Sequence, residues 1–213
     1  MNDLYDKLVN KEITKDELVK KIIDNPDIIP NVIEGVSSEK ANIRYGCGNA
    51  LKTLSEEKPE ILYLYMDFFV KLLDSDYRIL TWIAMAVIAN LTPIDRDKKF
   101  DDAFDKYYSF IDDEYMVSVA NIVGSSGKIG FAKPYLIPKI TDQLLRIEDI
   151  KTTPHLTNEC KKVIAEKAIA SFDMFFDKAE NKDEILSFVK KHVNSSRKSL
   201  KKDANKFIEK WSK

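Results

Sequence analysis

Residues Tyr77–Leu91 read YRILTWIAMAVIANL, with a single charge at Arg78. Tyr77, Thr81, Ala84, Met85 and Ile88 stand at offsets 0, 4, 7, 8 and 11, which is one stripe of a 3.6-period helix. The same template returns in Ile43-Cys47-Ala50-Leu51-Leu54 and in Tyr115-Val119-Ile122-Val123-Ser126. It returns again in Ile164-Ala168-Ser171-Phe172-Phe175 and in Leu200-Ala204-Phe207-Ile208-Trp211. Successive starts lie 34, 38, 49 and 36 residues apart. Self-similarity on that scale predicts helical hairpins stacked side by side. The 49-residue step also admits a compact helical bundle. Five recurrences favour the stack.

The turns between template helices are legible from breakers and caps. Residues 1–24 read as two short N-terminal helices, with Thr14 and Glu17 at capping-box spacing, and Asn25-Pro26 ends them. The first hairpin pairs Ile28–Val36 with Glu39–Leu54. The second pairs Glu60–Leu73 with Tyr77–Leu91 across Asp74-Ser75-Asp76, residues whose side chains bond their own backbone. The third pairs Phe100–Ile111 with Glu114–Val123, and Gly124-Ser125-Ser126-Gly127 is expected to end that helix as a flexible turn. The fourth joins Pro134–Ile147 to Glu159–Asp177 through a long connector. The last joins Asp183–Val193 to Ser196–Trp211. The expectation is one domain over 1–213, capped by the helices of 1–24 and by a basic hairpin at 182–213.

Composition narrows the class. With 44% hydrophobic and 32% charged residues, and only 6 Gly and 7 Pro, the 213-residue chain reads as globular and helical. The net charge of −1 conceals an acidic body and a basic end, because residues 182–213 hold ten Lys/Arg against four Asp/Glu. That balance is a poor footprint for a general nucleic-acid binder. Cys47 and Cys160 fall inside helical patterns and read as free thiols, so a reducing, cytoplasmic setting is expected. The longest uncharged run, Ile79–Ile94, is shorter than the roughly 20 residues a membrane span requires.

The turn sequences carry a family resemblance. Ser38-Glu39-Lys40-Ala41-Asn42-Ile43-Arg44-Tyr45-Gly46 resembles the turn and second-helix start of HEAT repeats, which pair an acidic turn with an apolar-Arg step. Asp74-Ser75-Asp76-Tyr77-Arg78 is similar in shortened form, and Asp112-Asp113-Glu114-Tyr115-Met116 keeps the acidic turn with Met in place of Arg. Ala89-Asn90-Leu91 resembles the armadillo ladder, in which an Asn late in the inner helix holds a peptide backbone. The resemblance to the HEAT/armadillo superfamily implies an all-α, right-handed α-α superhelix of about five hairpins. It also implies a concave face, lined by the second helices, that grips another macromolecule without catalysis.

Candidate binding residues follow from that register. Tyr45 and Asn49 share a face of one inner helix, Arg78, Trp82 and Asn90 lie on the next, and Asn121 is equivalent to Asn49. Asn donates and accepts at once and can pair with an extended backbone, whereas Trp and Tyr serve as interface anchors. Each Asn equally suits a local hydrogen bond between neighbouring hairpins. The terminal helix, with Arg197, Lys198, Lys201, Lys202, Lys206 and Lys210 around an apolar stripe, reads as a cap with one wet face.

No chemistry-bearing motif emerges. Gly124-Ser125-Ser126-Gly127-Lys128 lacks the first glycine and final Ser/Thr of a phosphate-binding loop. His155 and His192 have no companion ligands at metal spacing, so neither metal nor cofactor is expected. The leading expectation is therefore a non-enzymatic protein-interaction scaffold holding a peptide or helix. One alternative is a HEAT-like DNA-alkylation-repair glycosylase, favoured only by Trp82 and the C-terminal lysines. Another is a self-associating structural protein that covers its apolar face with a second copy.

Overall fold

A computed structural model describes residues 12–212, so the helix expected within the first eleven positions lies outside the described residues. The chain divides into two compact units, Met1–Phe100 and Asp101–Lys213. Among the described residues the regular elements are helices, apart from an isolated β-bridge between Thr153 and Leu156.

The first unit contains α1 (Lys15–Asp24), α2 (Ile29–Val36), α3 (Ala41–Glu57), α4 (Pro59–Leu62), α5 (Met66–Leu72) and α6 (Arg78–Leu91). The capping box forms as read: Thr14 Oγ1 accepts from the Glu17 backbone N–H, and Glu17 answers by accepting from the Thr14 N–H at 2.7 Å. The long helix expected over 60–73 is broken. Tyr63–Tyr65 form a 3-10 turn between α4 and α5. The Tyr63 hydroxyl explains the break, since it donates to Asp95 at 2.8 Å and accepts from the Asp97 N–H at 3.0 Å. Burial pushes that phenol up to about 12, so it stays a donor. Asp95 in turn accepts from the backbone N–H groups of Lys99 and Phe100, capping the helix that follows.

Arg44 shows what the apolar-Arg step does. Its guanidinium folds back over the turn, donating to the carbonyls of Ser38 at 2.8 Å and Glu39 at 3.1 Å. Its flat face lies 3.7 Å from the centroid of Tyr77, at the start of α6. One side chain thus satisfies turn carbonyls and ties one hairpin to the next.

The second unit takes α7 (Lys99–Tyr108) from Asp101 onward and continues through α8 (Met116–Ala132), α9 (Ile137–Leu145), α10 (Asn158–Phe175), α11 (Lys182–Lys190) and α12 (Lys198–Trp211). Here the structure corrects the expected turn at 124–127: α8 continues through it to Ala132. Three interior glycines cost a helix roughly 1 kcal/mol each relative to alanine. Close packing against α10 offsets that cost. A β-carbon at Gly127 would stand 2.9 Å from the Ser171 Cα, and one at Gly130 would stand 2.6 Å from the Phe175 ring. At this approach Ser171 Oγ donates across to the Val123 carbonyl at 2.6 Å. Ser126 Oγ bonds the Ile122 carbonyl and receives the Tyr108 hydroxyl at 3.1 Å.

The five templates form the core of their units. Nearly every position is buried, the exceptions being Tyr77 and Tyr115 at helix starts and Ile208 and Trp211 on α12. Hydrogen bonds within each unit repeat the sequence period: Tyr63 to Asp97, Tyr135 to Asp101 and Lys162 to Ser196 each span 34 residues. That recurrence ties equivalent points of successive hairpins.

Candidate functional site

In the first unit, α3 and α6 meet through Gly48, where a β-carbon would stand 3.0 Å from Ile83 Cδ1. Packing on that side turns the opposite flank of α3 to water, exposing Asn42 and Asn49 and half-exposing Tyr45. On α6 the water-facing residues are Arg78 and Ile79, with Trp82 and Ala86 half-buried one and two turns later. Four of the expected residues therefore lie on wet stripes of two packed helices. Ile79, 43% exposed, belongs with them and was missed, because alone in an apolar run it reads as core.

Asn90 does not join them. It is buried, and its Nδ2 donates to Ser55 Oγ at 2.8 Å, joining α6 to α3. The local hydrogen-bond reading describes this residue.

In the second unit, Asn121 is half-buried on a stripe that runs the length of α8: Val117, Asn121, Gly124, Lys128 and Phe131. Lys128 and Phe131 escaped the sequence reading because the helix was expected to stop before them. Between α10 and α12 lies a cavity of about 360 Å³, lined by Ala170, Asp173, Lys206, Phe207 and Lys210 among others. Its charges are largely matched, with Lys210 Nζ 2.8 Å from Asp173 and Trp211 Nε1 donating to the same carboxylate. Nearer the start of α12, Glu166 on α10 accepts from Nε of Arg197, the residue before α12, at 2.7 Å and from Ser199. Burial works to raise that carboxyl, but the two hydrogen bonds and the Arg197 charge hold it below the ordinary range.

Both histidines serve packing. His155 stacks on Tyr115 at 4.3 Å, and its carbonyl accepts from the Met116 N–H, docking the 150–157 connector on the start of α8. His192 stands edge-on to Phe188, and burial lowers its pKa. Among the described residues no group of three or more His, Cys, Asp or Glu is placed to hold a metal ion. Nor is any helix among them long and apolar enough to cross a membrane.

No family model matches the chain, and no curated protein does. Solved structures do. The designed armadillo repeat protein YIII(Dq)4CqI superposes with a TM-score of 0.64 at 18% identity, covering 91% of this chain and 85% of that one. A second designed armadillo repeat protein, YIII(Dq.V1)4CPAF in complex with the peptide (KR)4, gives 0.66 at 18% identity with the same coverage. An engineered protein gives 0.61 at 16% identity, covering 90% and 81%. The likeness is one of fold: the chain has the all-α solenoid repeat fold of the armadillo/HEAT type.

Proposed function

We propose that this chain is a non-enzymatic protein-interaction module that holds a peptide or helix of a partner on its second helices. The observation that carries the reading is the pair of wet stripes on α3 and α6, where Asn49 and Arg78 are exposed and Tyr45 and Trp82 half-buried, while the template residues within these helices are buried. Asn49 supplies a donor and an acceptor for an extended backbone, and Tyr45 and Trp82 supply area with a polar tip. Asn121 offers the same amide on α8 of the second unit. In support, one structural neighbour is a designed armadillo protein in complex with a peptide.

The ionisable groups favour binding over catalysis. Burial pushes the Cys47 thiol up to about 12 and raises the phenols of Tyr107 and Tyr108. Each is held neutral in a core, where packing needs it, away from the near-neutral range useful to an acid or base. The two free thiols support a reducing compartment as the working location.

Partner recovery from cell extract, comparing the native chain with a Trp82→Ala/Asn49→Ala double variant by quantitative mass spectrometry, tests the assignment. Proteins enriched by the native chain and lost with the double variant are the expected result. Equal recovery by both forms discards these stripes as the binding face.

A further inference from the structure

We infer that a small cavity among α10, α11 and the turn after α9 is a binding site for an apolar group that carries one carboxylate. That chemistry is shared by a free aliphatic acid and by a chain ending in an apolar residue. The site lies wholly in the second unit and does not depend on the stripes of α3 and α6.

The cavity forms where a 3-10 turn, Arg146–Asp149, follows α9 and brings Ile147 and Glu148 against α10 and the end of α11. On α10, Lys161 and Ala165 stand four apart on one face, and the short alanine leaves a gap behind the lysine. Ile147, Ala165 and Phe188 make the floor, and all three are buried. The enclosed volume is about 220 Å³. At ~30 Å³ per water that is room for about seven waters. Pockets for drug-sized ligands run to roughly 300–1,000 Å³, so a nucleotide or organic cofactor is too large and a single side chain is the right size.

Charge at the rim selects the rest of the ligand. Glu148 is taken, with Lys191 Nζ at 2.7 Å from both of its oxygens. Lys162, another lining residue, is also taken: its Nζ bonds Glu159 and lies 2.6 Å from Ser196 Oγ. Those two ion pairs cancel. Lys161 makes no ion pair among the described residues, so the rim keeps one positive charge. Beyond its packing on Phe188, His192 also lines the cavity, and its ring nitrogens take no hydrogen bond among the described residues. Burial lowers its pKa, so near neutrality the ring is uncharged and offers one N–H. One ammonium and one imidazole N–H above an apolar floor match the two oxygens and the hydrocarbon of a monocarboxylate. Inorganic phosphate has no hydrocarbon for the floor, and an amine would meet the charge of Lys161.

Titration of the isotope-labelled full chain, followed by NMR, tests this with isocaproate, isocaproamide, inorganic phosphate and the peptide acetyl-Gly-Gly-Leu. Isocaproate should bind about tenfold or more tightly than its amide, the worth of a hydrogen bond to a charged group. Its binding should move the ring resonances of His192. Those of His155, the other histidine, which stacks on Tyr115 outside the cavity lining, should stay. Lys161→Met keeps the stem, removes the charge and should erase the preference for acid over amide. Ala165→Leu should fill the floor and abolish binding, with circular dichroism verifying the fold; Lys161→Met decides the matter even where that variant does not fold. Tighter binding of the peptide than of isocaproate assigns the site to a chain terminus, and the reverse order to a free acid. Equal binding of acid and amide, a His192 ring that neither acid nor peptide moves, or a preference that survives Lys161→Met overturns the site. Phosphate that moves His192 as strongly as isocaproate does the same.

Discussion

The side-chain amide of Asn90 donates to the hydroxyl of Ser55 across 2.8 Å, in a position where both side chains are almost wholly removed from water. Ser55 Oγ passes the chain on to the Lys52 carbonyl at 2.6 Å, so a short polar relay links α6 to the backbone of α3. An asparagine late in an inner helix, where the armadillo likeness would have it hold a ligand, here holds its neighbour.

Asn90→Ala should destabilise the first unit by about 1–3 kcal/mol, since the Ser55 hydroxyl loses its buried partner. Chemical denaturation followed by the fluorescence of Trp82, on the same helix, reads this. Partner recovery by the folded variant should match that of the native chain. A variant of undiminished stability would show that the relay is replaceable by packing.

The glycines of α8 make a prediction of sign. Gly127→Ala should destabilise by about 1–3 kcal/mol through overpacking. The new methyl would meet Met174, which can move, and the Ser171 backbone, which cannot. Gly124→Ala has room, with Lys167 at 3.5 Å, and should stabilise by up to about 1 kcal/mol through helix propensity. Thermal unfolding of the two variants side by side checks the opposition. Shifts of the same sign would show that the helix–helix approach is softer than described.

Acid should expose the Glu166–Arg197 contact. The folded pKa of this carboxyl lies below its ordinary 4.5, so protons bind more readily to the unfolded chain in that window. The stabilisation is complete above 4.5 and fades as pH falls through the lowered folded value. Glu166→Gln removes the contribution. The stability difference between native chain and variant should be largest near neutrality and shrink towards zero in acid. A difference that does not change with pH would assign the effect to hydrogen bonding alone.

The two thiols should report opening. Cys47 is fully buried and its pKa is pushed up to about 12, so a native chain should resist thiol reagents there. Cys160, at the start of α10, is partly exposed and should label first. Mass spectrometry of the labelled peptides, with and without denaturant, separates the two. Rapid native labelling of Cys47 would mean that α3 opens locally.

Some of this was written in the chain. The offsets 0, 4, 7, 8 and 11 are a property of helical geometry, so they survive without knowledge of neighbours, and the residues they mark are buried with few exceptions. The placement of Tyr45, Asn49 and Trp82 off the buried stripe was legible for the same reason, because a helix with one marked apolar stripe must turn another side outward. The errors occurred where local preference met a distant contact. The stretch 60–73 has an unbroken helical pattern, yet Tyr63 is turned to reach Asp95 and Asp97, more than thirty residues away. Gly124–Gly127 reads as a helix end because glycine is a weak helix former, but at Gly127 the α10 backbone comes too close for a side chain.

By itself, then, the sequence determined the repeating helices, their phase and the superfamily they resemble, since each is set by residues within one or two turns of one another. Only the tertiary structure decided that Asn90 is interior while Asn49 is wet, that α8 runs on to carry Phe131 into solvent, and that Glu166 pairs with Arg197 and Asp173 with Lys210. Those outcomes depend on which helix lies alongside, and burial and ion pairing are energies between helices that no single helix encodes.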